Sequence, residues 1–196
     1  YLSFSGLEQS VILTNNIHYL CTLSFWLGSV VQSQSSYWKR CWRASVDGWA
    51  STTFHSKCDN KWPTVTIIRV GKYIFGGYTS TSWVSNCGYQ YSSMAFLFSL
   101  VNKPGWAPVK LSQTGKYSNR RSHSIFSCSS YGPIFGYGHD IRISNNASSN
   151  TNSYANLGHT YSPPSGHSYG SSFTQSFLAG IYHFQSDEVE VFYETT

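Results

Sequence analysis

Histidine and cysteine are the residues of this 196-residue chain best suited to chemistry, with seven of the first and five of the second. His55 and Cys58 lie three positions apart in a segment with helical spacing, which would place both side chains on one helix face. Such a pair could supply half of a zinc site, or a thiol whose pKa the imidazole lowers. No second pair follows at the spacing of zinc ligands. We therefore predict no metal site and take Cys58 as the candidate reactive thiol.

A second histidine stands directly before a carboxylate, at His139-Asp140. General-base catalysis needs a carboxylate that orients an imidazole, but adjacent residues of a strand point to opposite faces. The serines lack the G-x-S-x-G sequence, and the glycines form no phosphate-binding loop. We predict no catalytic residues and no cofactor. A weak thiol- or histidine-dependent enzyme, using Cys58, His55 or His139, is the enzymatic alternative.

The cysteine count is odd, so at least one thiol is unpaired within the chain. No C-x-x-C pair occurs, so neither a zinc knuckle nor a thioredoxin-type motif is predicted. We expect reduced, buried cysteines, as in an intracellular protein, with disulfides as the alternative. Asn146-Ala147-Ser148 is a glycosylation sequon, which matters only in a secreted protein. The chain begins at Tyr1, which indicates a fragment or a processed product. The five cysteines are Cys21, Cys41, Cys58, Cys87 and Cys128.

Charged residues are few and unevenly placed. They make up 11% of the chain, against about 25% in an average soluble domain. The formal net charge is +5, yet four of the eight acids lie in the last ten residues, so residues 1–186 carry 13 bases and 4 acids. The bases are scattered and no nucleic-acid-binding motif occurs, so we expect a protein partner and no nucleic acid. No apolar segment is long enough to predict a transmembrane helix.

The elements that must position these residues are mostly short strands. Apolar spacing predicts a helix over 17–28 and a smaller one over 51–58. Two β-branched and aromatic runs around Gly71-Lys72 predict a hairpin over 64–78. Many short strands with few helices predict a mainly β (α+β) fold, a central antiparallel β-sandwich flanked by short helices. Further strands are predicted over 37–45, 94–101, 107–112, 124–129, 132–135, 140–144 and 187–193, with a polar loop over 145–156.

A series of short motifs follows along the chain: WKRCWRAS at 38–45, DGW at 47–49, FHSKCD at 54–59, PTVTII at 63–68, IFGGYT at 74–79, AFLFSL at 95–100, FGYGHDI at 135–141, LAG at 178–180 and DEVEVF at 187–192. This series resembles the TLDc domain, the module of the oxidation resistance proteins. The resemblance extends from about Ser10 to Glu194. We therefore expect residues 1–196 to hold one such domain, as part of a longer chain.

The resemblance implies a β-sandwich flanked by helices and a role in protection from oxidative stress. Several family members bind the vacuolar proton-pumping ATPase (V-ATPase) and change its assembly or activity. The characteristic positions, which we interpret mostly as fold determinants, are Asp47, Gly48, Gly76, Gly77, Gly136, Gly138 and Asp140. The partner-binding surface is expected at the acidic end, at Asp187, Glu188, Glu190 and Glu194.

The function expected from the resemblance is that of a non-enzymatic interaction and regulatory module. Its partner would be a protein, with the peripheral subunits of the V-ATPase as the named candidate, and its location intracellular. The alternative is a secreted ligand-binding or adhesion module with disulfides and an occupied sequon at Asn146. The sequence leaves the oligomeric state open.

Overall fold

The computed structural model describes residues 6–14, 16–33, 35–113 and 123–195. Within these ranges the strands form two antiparallel sheets of six strands each. The strands are β1 Tyr37–Arg43, β2 Thr64–Val70, β3 Tyr73–Thr79, β4 Gly88–Gln90, β5 Phe96–Val101, β6 Val109–Ser112, β7 Ile125–Ser127, β8 Ile134–Phe135, β9 Ile141–Arg142, β10 Ser153–Ala155, β11 His183–Phe184 and β12 Glu188–Thr195. The first sheet has the order β1-β12-β2-β3-β5-β6 and the second β11-β10-β9-β8-β7-β4. The predicted mainly β sandwich is confirmed.

Short helices flank the sheets, as predicted. They are α1 Ile17–Gly28, α2 Ala44–Asp47, α3 Ser51–Cys58 and α4 Ser172–Phe177, with a 3-10 turn at Leu7–Gln9. Asn16 caps α1, because its side-chain oxygen accepts hydrogen bonds from the backbone N–H groups of His18 and Tyr19. Over the described residues, no helix has the length and apolarity needed to cross a membrane.

The two sheets pack face to face through large aromatic side chains. Trp83 lies at the centre, with its ring 5.5 Å from those of both Phe54 and Phe135 in edge-on contacts. Its indole N–H donates to the Thr64 hydroxyl at 2.9 Å, so the buried polar atom is satisfied. Gly77 allows the close approach of the sheets, since a Cβ there would lie 2.7 Å from the Phe135 ring.

A second core lies on the opposite face of the first sheet, beneath the N-terminal segment. Leu13 and the α1 residues Leu23 and Leu27 pack there with Phe98 of β5 and Phe192 of β12. The first sheet is therefore buried on both faces, which explains why its central strands β2, β3 and β5 are rich in apolar residues.

The second sheet departs most from the predicted elements. Its strands are only two or three residues long, and β10 lies inside the stretch 145–156 that was predicted as a loop. Neither β4 nor β11 was predicted. Two residues cannot show the alternation by which a strand is recognised in sequence.

Candidate interaction surface

The acidic end of the chain does not form the predicted partner surface. β12 lies between β1 and β2, as an inner strand of the first sheet. Glu188, Glu190 and Glu194 are only 3, 0 and 6% exposed, whereas Asp187 is exposed. The prediction is therefore wrong for the three glutamates, because the N-terminal segment and neighbouring loops cover that face of the strand.

Glu190 instead anchors the N-terminal segment. The Ser10 hydroxyl donates to its carboxylate at 2.5 Å, and the backbone N–H of Val11 donates at 3.3 Å. Arg40 completes the site with an ion pair at 3.7 Å. Burial raises the pKa of the Glu190 carboxyl, and these three groups act against that rise.

Glu188 and Glu194, near the two ends of β12, also bind neighbouring segments of the chain. Glu188 accepts hydrogen bonds from the Arg43 side chain at 3.2 Å and from the Ser45 backbone N–H at 3.1 Å. Glu194 accepts from the Gln32 backbone N–H at 2.7 Å. Buried carboxylates with such partners hold the chain together and are not available to another molecule.

Cys58 is not a free thiol, so the prediction of a reactive thiol at this position is wrong. It forms a disulfide with Cys41, since packing of α3 against β1 brings the two residues together. Cys87 and Cys128 form a second disulfide, and Cys21 is the cysteine left free. The expectation of reduced cysteines is thus also wrong, and the disulfide alternative holds in this structure.

His55 is a buried link between α3 and the second sheet. Its Nδ1 lies 2.6 Å from an Asp59 carboxylate oxygen. Its Nε2 lies 2.9 Å from the carbonyl oxygen of Cys128 and 3.1 Å from that of Tyr131. Within the described ranges, we find no group of three or more His, Cys, Asp or Glu side chains that could hold a metal ion.

Asp140 is fully buried and organises the loop that follows β10. Its carboxylate accepts hydrogen bonds from four backbone N–H groups, those of Gly158 at 2.8 Å, His159 and Thr160 at 3.0 Å and Tyr161 at 3.4 Å. Burial raises the pKa of Asp140 to about 7, and the four donors oppose that rise. The Asp140 carboxylate thus supplies the acceptors for backbone N–H groups of the loop that would otherwise lack a hydrogen-bond partner.

The glycines of the FGYGHD motif let the chain wrap around this carboxylate. Gly136 has φ +84°, and a Cβ there would lie 1.9 Å from Oδ2 of Asp140. Gly138 has φ +73°, and a Cβ there would lie 2.7 Å from the His159 ring. Both the backbone conformation and the available space therefore require glycine.

The remaining motif positions lie at two tight places of the framework. Asp47 accepts a hydrogen bond from the Arg43 backbone N–H at 2.8 Å and pairs with Lys57 at 2.8 Å. Gly48 follows it with φ +111° and ends α2. Gly76 lies in β3, where a Cβ would come 1.9 Å from the carbonyl oxygen of a neighbouring strand.

The outer surface of the second sheet carries a continuous set of aromatic rings. Tyr89 of β4 lies 4.9 Å from Phe126 of β7 and 5.6 Å from Tyr137, measured between ring centroids. Tyr89 and Tyr137 are 37% and 45% exposed. Strand alternation places Tyr89 and Phe126 opposite the inward-facing Ile125 and Phe135. We call this surface the aromatic face: Tyr89, Phe126, Tyr137, His139, Tyr154 and Tyr182.

His139 is part of this face and is not paired with Asp140. Its ring lies 5.5 Å from that of Phe126, and Nδ1 lies 2.9 Å from the Tyr154 hydroxyl. Burial lowers the pKa of His139 to about 4, and the nearby Arg142 contributes in the same direction. The imidazole is therefore neutral near pH 7 and contributes to packing.

Protonation of His139 is expected to destabilise the folded protein. Its pKa lies below the ordinary value of 6.5, so the unfolded chain binds more protons between about pH 6.5 and pH 4. The contribution of His139 to stability should therefore rise with pH in this window, and the stability of the wild type relative to that of His139→Gln should fall by about 2 kcal/mol on going from pH 7.5 to pH 4.5. Protonation of Asp140 acts in the opposite direction but is common to both proteins. Urea unfolding of the wild type and of His139→Gln at both pH values measures the difference. Equal losses in the two proteins would contradict this assignment.

Sequence reasoning missed the aromatic face because its residues come from five separate stretches of the chain. The available signal was composition: 17% of residues are Phe, Trp or Tyr, more than a core alone requires. The sequence did single out His139, but as a base beside a carboxylate. Tertiary structure places it instead among tyrosines.

Comparison with known proteins agrees with this architecture. The family model of the TLDc domain matches residues 7–194. MTOR-associated protein MEAK7 of Danio rerio is 33% identical over 70 residues, which are 35% of this chain and 16% of that protein. The similarity to this curated relative thus spans less than a fifth of its length. Because the family model covers almost the whole chain, the chain belongs to the TLDc domain family.

Proposed function

We propose that this TLDc domain is a non-enzymatic regulatory module that binds a protein partner through the aromatic face. The observation that carries the proposal is the exposure of Tyr89 and Tyr137 within a set of contiguous rings. Tyrosine is enriched at the energetic centres of protein interfaces, because its ring supplies apolar area and its hydroxyl a hydrogen bond. The rings are held by a rigid sheet, so little entropy is lost when they bind.

The partner that we propose is the set of peripheral subunits of the V-ATPase, in a role linked to protection from oxidative stress. This choice follows from membership of the TLDc family. The relative MEAK7 is named as an MTOR-associated protein, which supports association with another protein as the general activity.

Truncation of these two rings is expected to weaken binding. The double variant Tyr89→Ala, Tyr137→Ala should bind purified V-ATPase peripheral subunits at least about tenfold more weakly, since tyrosines that anchor an interface each contribute about 1 kcal/mol or more. Phe25→Ala is the matched control. Phe25 is 66% exposed on α1, on the far side of the first sheet. Affinity by surface plasmon resonance is the measurement.

Two results would overturn this proposal. If a TLDc protein known to bind these subunits is retained and the present chain is not, the pump is not the partner. If the tyrosine double variant and Phe25→Ala bind as tightly as the wild type, the aromatic face is not the contact surface.

A second candidate function, a secreted ligand-binding or adhesion module, is favoured by the two disulfides. Structural disulfides persist in oxidising compartments and are rare in the cytosol. The sequon residue Asn146 is exposed and lies in a turn after β9 with φ +53°. A secreted chain would offer this side chain to the glycosylation machinery.

Glycosidase treatment tests the secreted candidate. For protein isolated from its native source, peptide-N-glycosidase is expected to lower the mass and convert Asn146 to aspartate. Ser148→Ala destroys the sequon and is the control, because it should remove the mass change. An unmodified Asn146 together with five free thiols in the unreduced native protein would contradict secretion.

A further inference from the structure

A polar cleft of about 420 Å³ opens beside the aromatic face. Its walls come from the connection before β8, from β9 and from β10 and β11, and they share Tyr154 with the aromatic face. We call it the Arg142 cleft after its central residue; it is lined by Ser130, Tyr131, Arg142, Asn152, Tyr154 and His183. Among the residues that the structure describes, no Asp or Glu lines this cleft.

Arg142 is held between two tyrosine rings. Its guanidinium carbon lies 4.4 Å from the ring centroid of Tyr131 and 5.4 Å from that of Tyr154. Cation–π contacts of this kind restrict the position of the guanidinium group. The group is therefore positioned before any ligand arrives.

The charge of Arg142 is not balanced by the parts of the chain that the structure describes. The ion pairs among those residues use Arg40, Arg43, His55 and Lys57. The Nε atom of Arg142 is buried and has no hydrogen-bond partner among the described atoms. A guanidinium that lines a cleft with no described carboxylate paired to it offers a site for an anionic group.

We propose that the Arg142 cleft binds the side-chain carboxylate of an acidic segment on the protein partner. A guanidinium matches a carboxylate through two parallel N–H···O bonds. The cleft offers one fixed cation with hydroxyl, amide and imidazole groups around it, which fits a singly charged carboxylate. Doubly charged phosphate groups usually draw on several cations or on a helix N-terminus.

The placement of acids elsewhere supports an acidic partner. Asp140, Glu188, Glu190 and Glu194 are buried, so half of the eight acids are withdrawn from the surface. Bases therefore outnumber the acids that remain accessible, which favours a partner with negative charge. The proposal rests on the protein-binding function and specifies the chemistry that the partner must present.

A capped hexaglutamate peptide is the probe, with capped hexaglutamine as the uncharged control. In ¹H–¹⁵N spectra of the intact chain, hexaglutamate should shift the Arg142 Nε–H signal saturably, and hexaglutamine should not. Arg142→Gln should weaken hexaglutamate binding at least about tenfold, and Arg142→Lys should weaken it less, since lysine keeps the charge without the fork. Arg69→Gln removes the same charge from β2 and should change affinity by less than about twofold.

Each other outcome overturns the proposal. Equal loss of affinity in Arg142→Gln and Arg69→Gln would indicate general electrostatic attraction. An Arg142 signal unmoved by hexaglutamate would exclude the carboxylate site, whether or not the variants fold. A capped phosphoserine peptide that binds Arg142 more tightly than hexaglutamate would assign the cleft to phosphate.

The same variants separate this proposal from the proposed function. If hexaglutamate saturates Arg142 but the V-ATPase subunits do not bind, the named partner is wrong and the cleft remains a carboxylate site. If the subunits bind Arg142→Gln as tightly as the wild type, the aromatic face acts without the cleft.

Discussion

Replacing Gly136 by alanine is expected to lower the free energy of unfolding by at least about 4 kcal/mol. Its φ of +84° costs a residue with a Cβ about 1 to 2 kcal/mol. The added methyl group would lie 1.9 Å from the buried carboxylate of Asp140 and would have to displace it. Displacement breaks up to four hydrogen bonds from the following loop, each with a net value of about 1 kcal/mol. The total approaches the stability of an ordinary domain.

Gly105→Ala is the matched control for this substitution. Gly105 has nearly the same φ, +87°, but a Cβ there meets nothing within 4 Å. The free energy of unfolding of Gly105→Ala should therefore fall by only about 1 to 2 kcal/mol, the conformational cost of a positive φ. Urea unfolding of both variants measures the difference. Losses within about 1 kcal/mol of each other would show that Asp140 is not held as described.

Removal of the disulfides is the second large effect that we expect. The double variant Cys41→Ala, Cys58→Ala should lose about 3 kcal/mol, and Cys87→Ala, Cys128→Ala about 4 kcal/mol, because the bonds close chain segments of increasing length in the unfolded state. The sequence separations are 17 and 41 residues. Urea unfolding in the absence of reductant is the measurement.

Cys21→Ala controls for the loss of a cysteine side chain, since Cys21 is half-buried and unpaired. Its effect should stay below about 1 kcal/mol. The disulfide assignment fails if reductant leaves the unfolding midpoint of the wild type unchanged and five thiols titrate in the denatured protein in the absence of reductant. That result would also remove the observation that favours secretion.

Local elements were predicted well where one stretch of sequence carried the whole signal. The helix at 17–28 shows apolar residues at helical spacing after a capping asparagine, and both features act within four residues. The hairpin of β2 and β3 likewise has its strands and its turn in sequence. The glycines of the FGYGHD motif were interpreted as fold determinants, but the carboxylate that excludes a side chain at Gly136 became visible only in three dimensions.

Predictions failed where the deciding partner was distant in sequence. Glu190 alternates with valines in β12, a pattern typical of an edge strand with one exposed face. Its carboxylate is nevertheless covered by Ser10, which lies 180 residues away in the sequence. Cys58 stands one helical turn from His55, which suggested a reactive pair. Cys58 is bonded instead to Cys41, because α3 and β1 bring the two cysteines together.

The sequence by itself determined the fold class, the family and the local elements, because hydrophobic spacing, turn residues and motif order act over short distances. Only the tertiary structure decided which charges are buried, which cysteines pair and which rings meet on the aromatic face. Those outcomes depend on contacts between strands far apart in sequence. The Arg142 cleft belongs to this second group, since Tyr131, Arg142 and Tyr154 meet only when β8, β9 and β10 form one sheet.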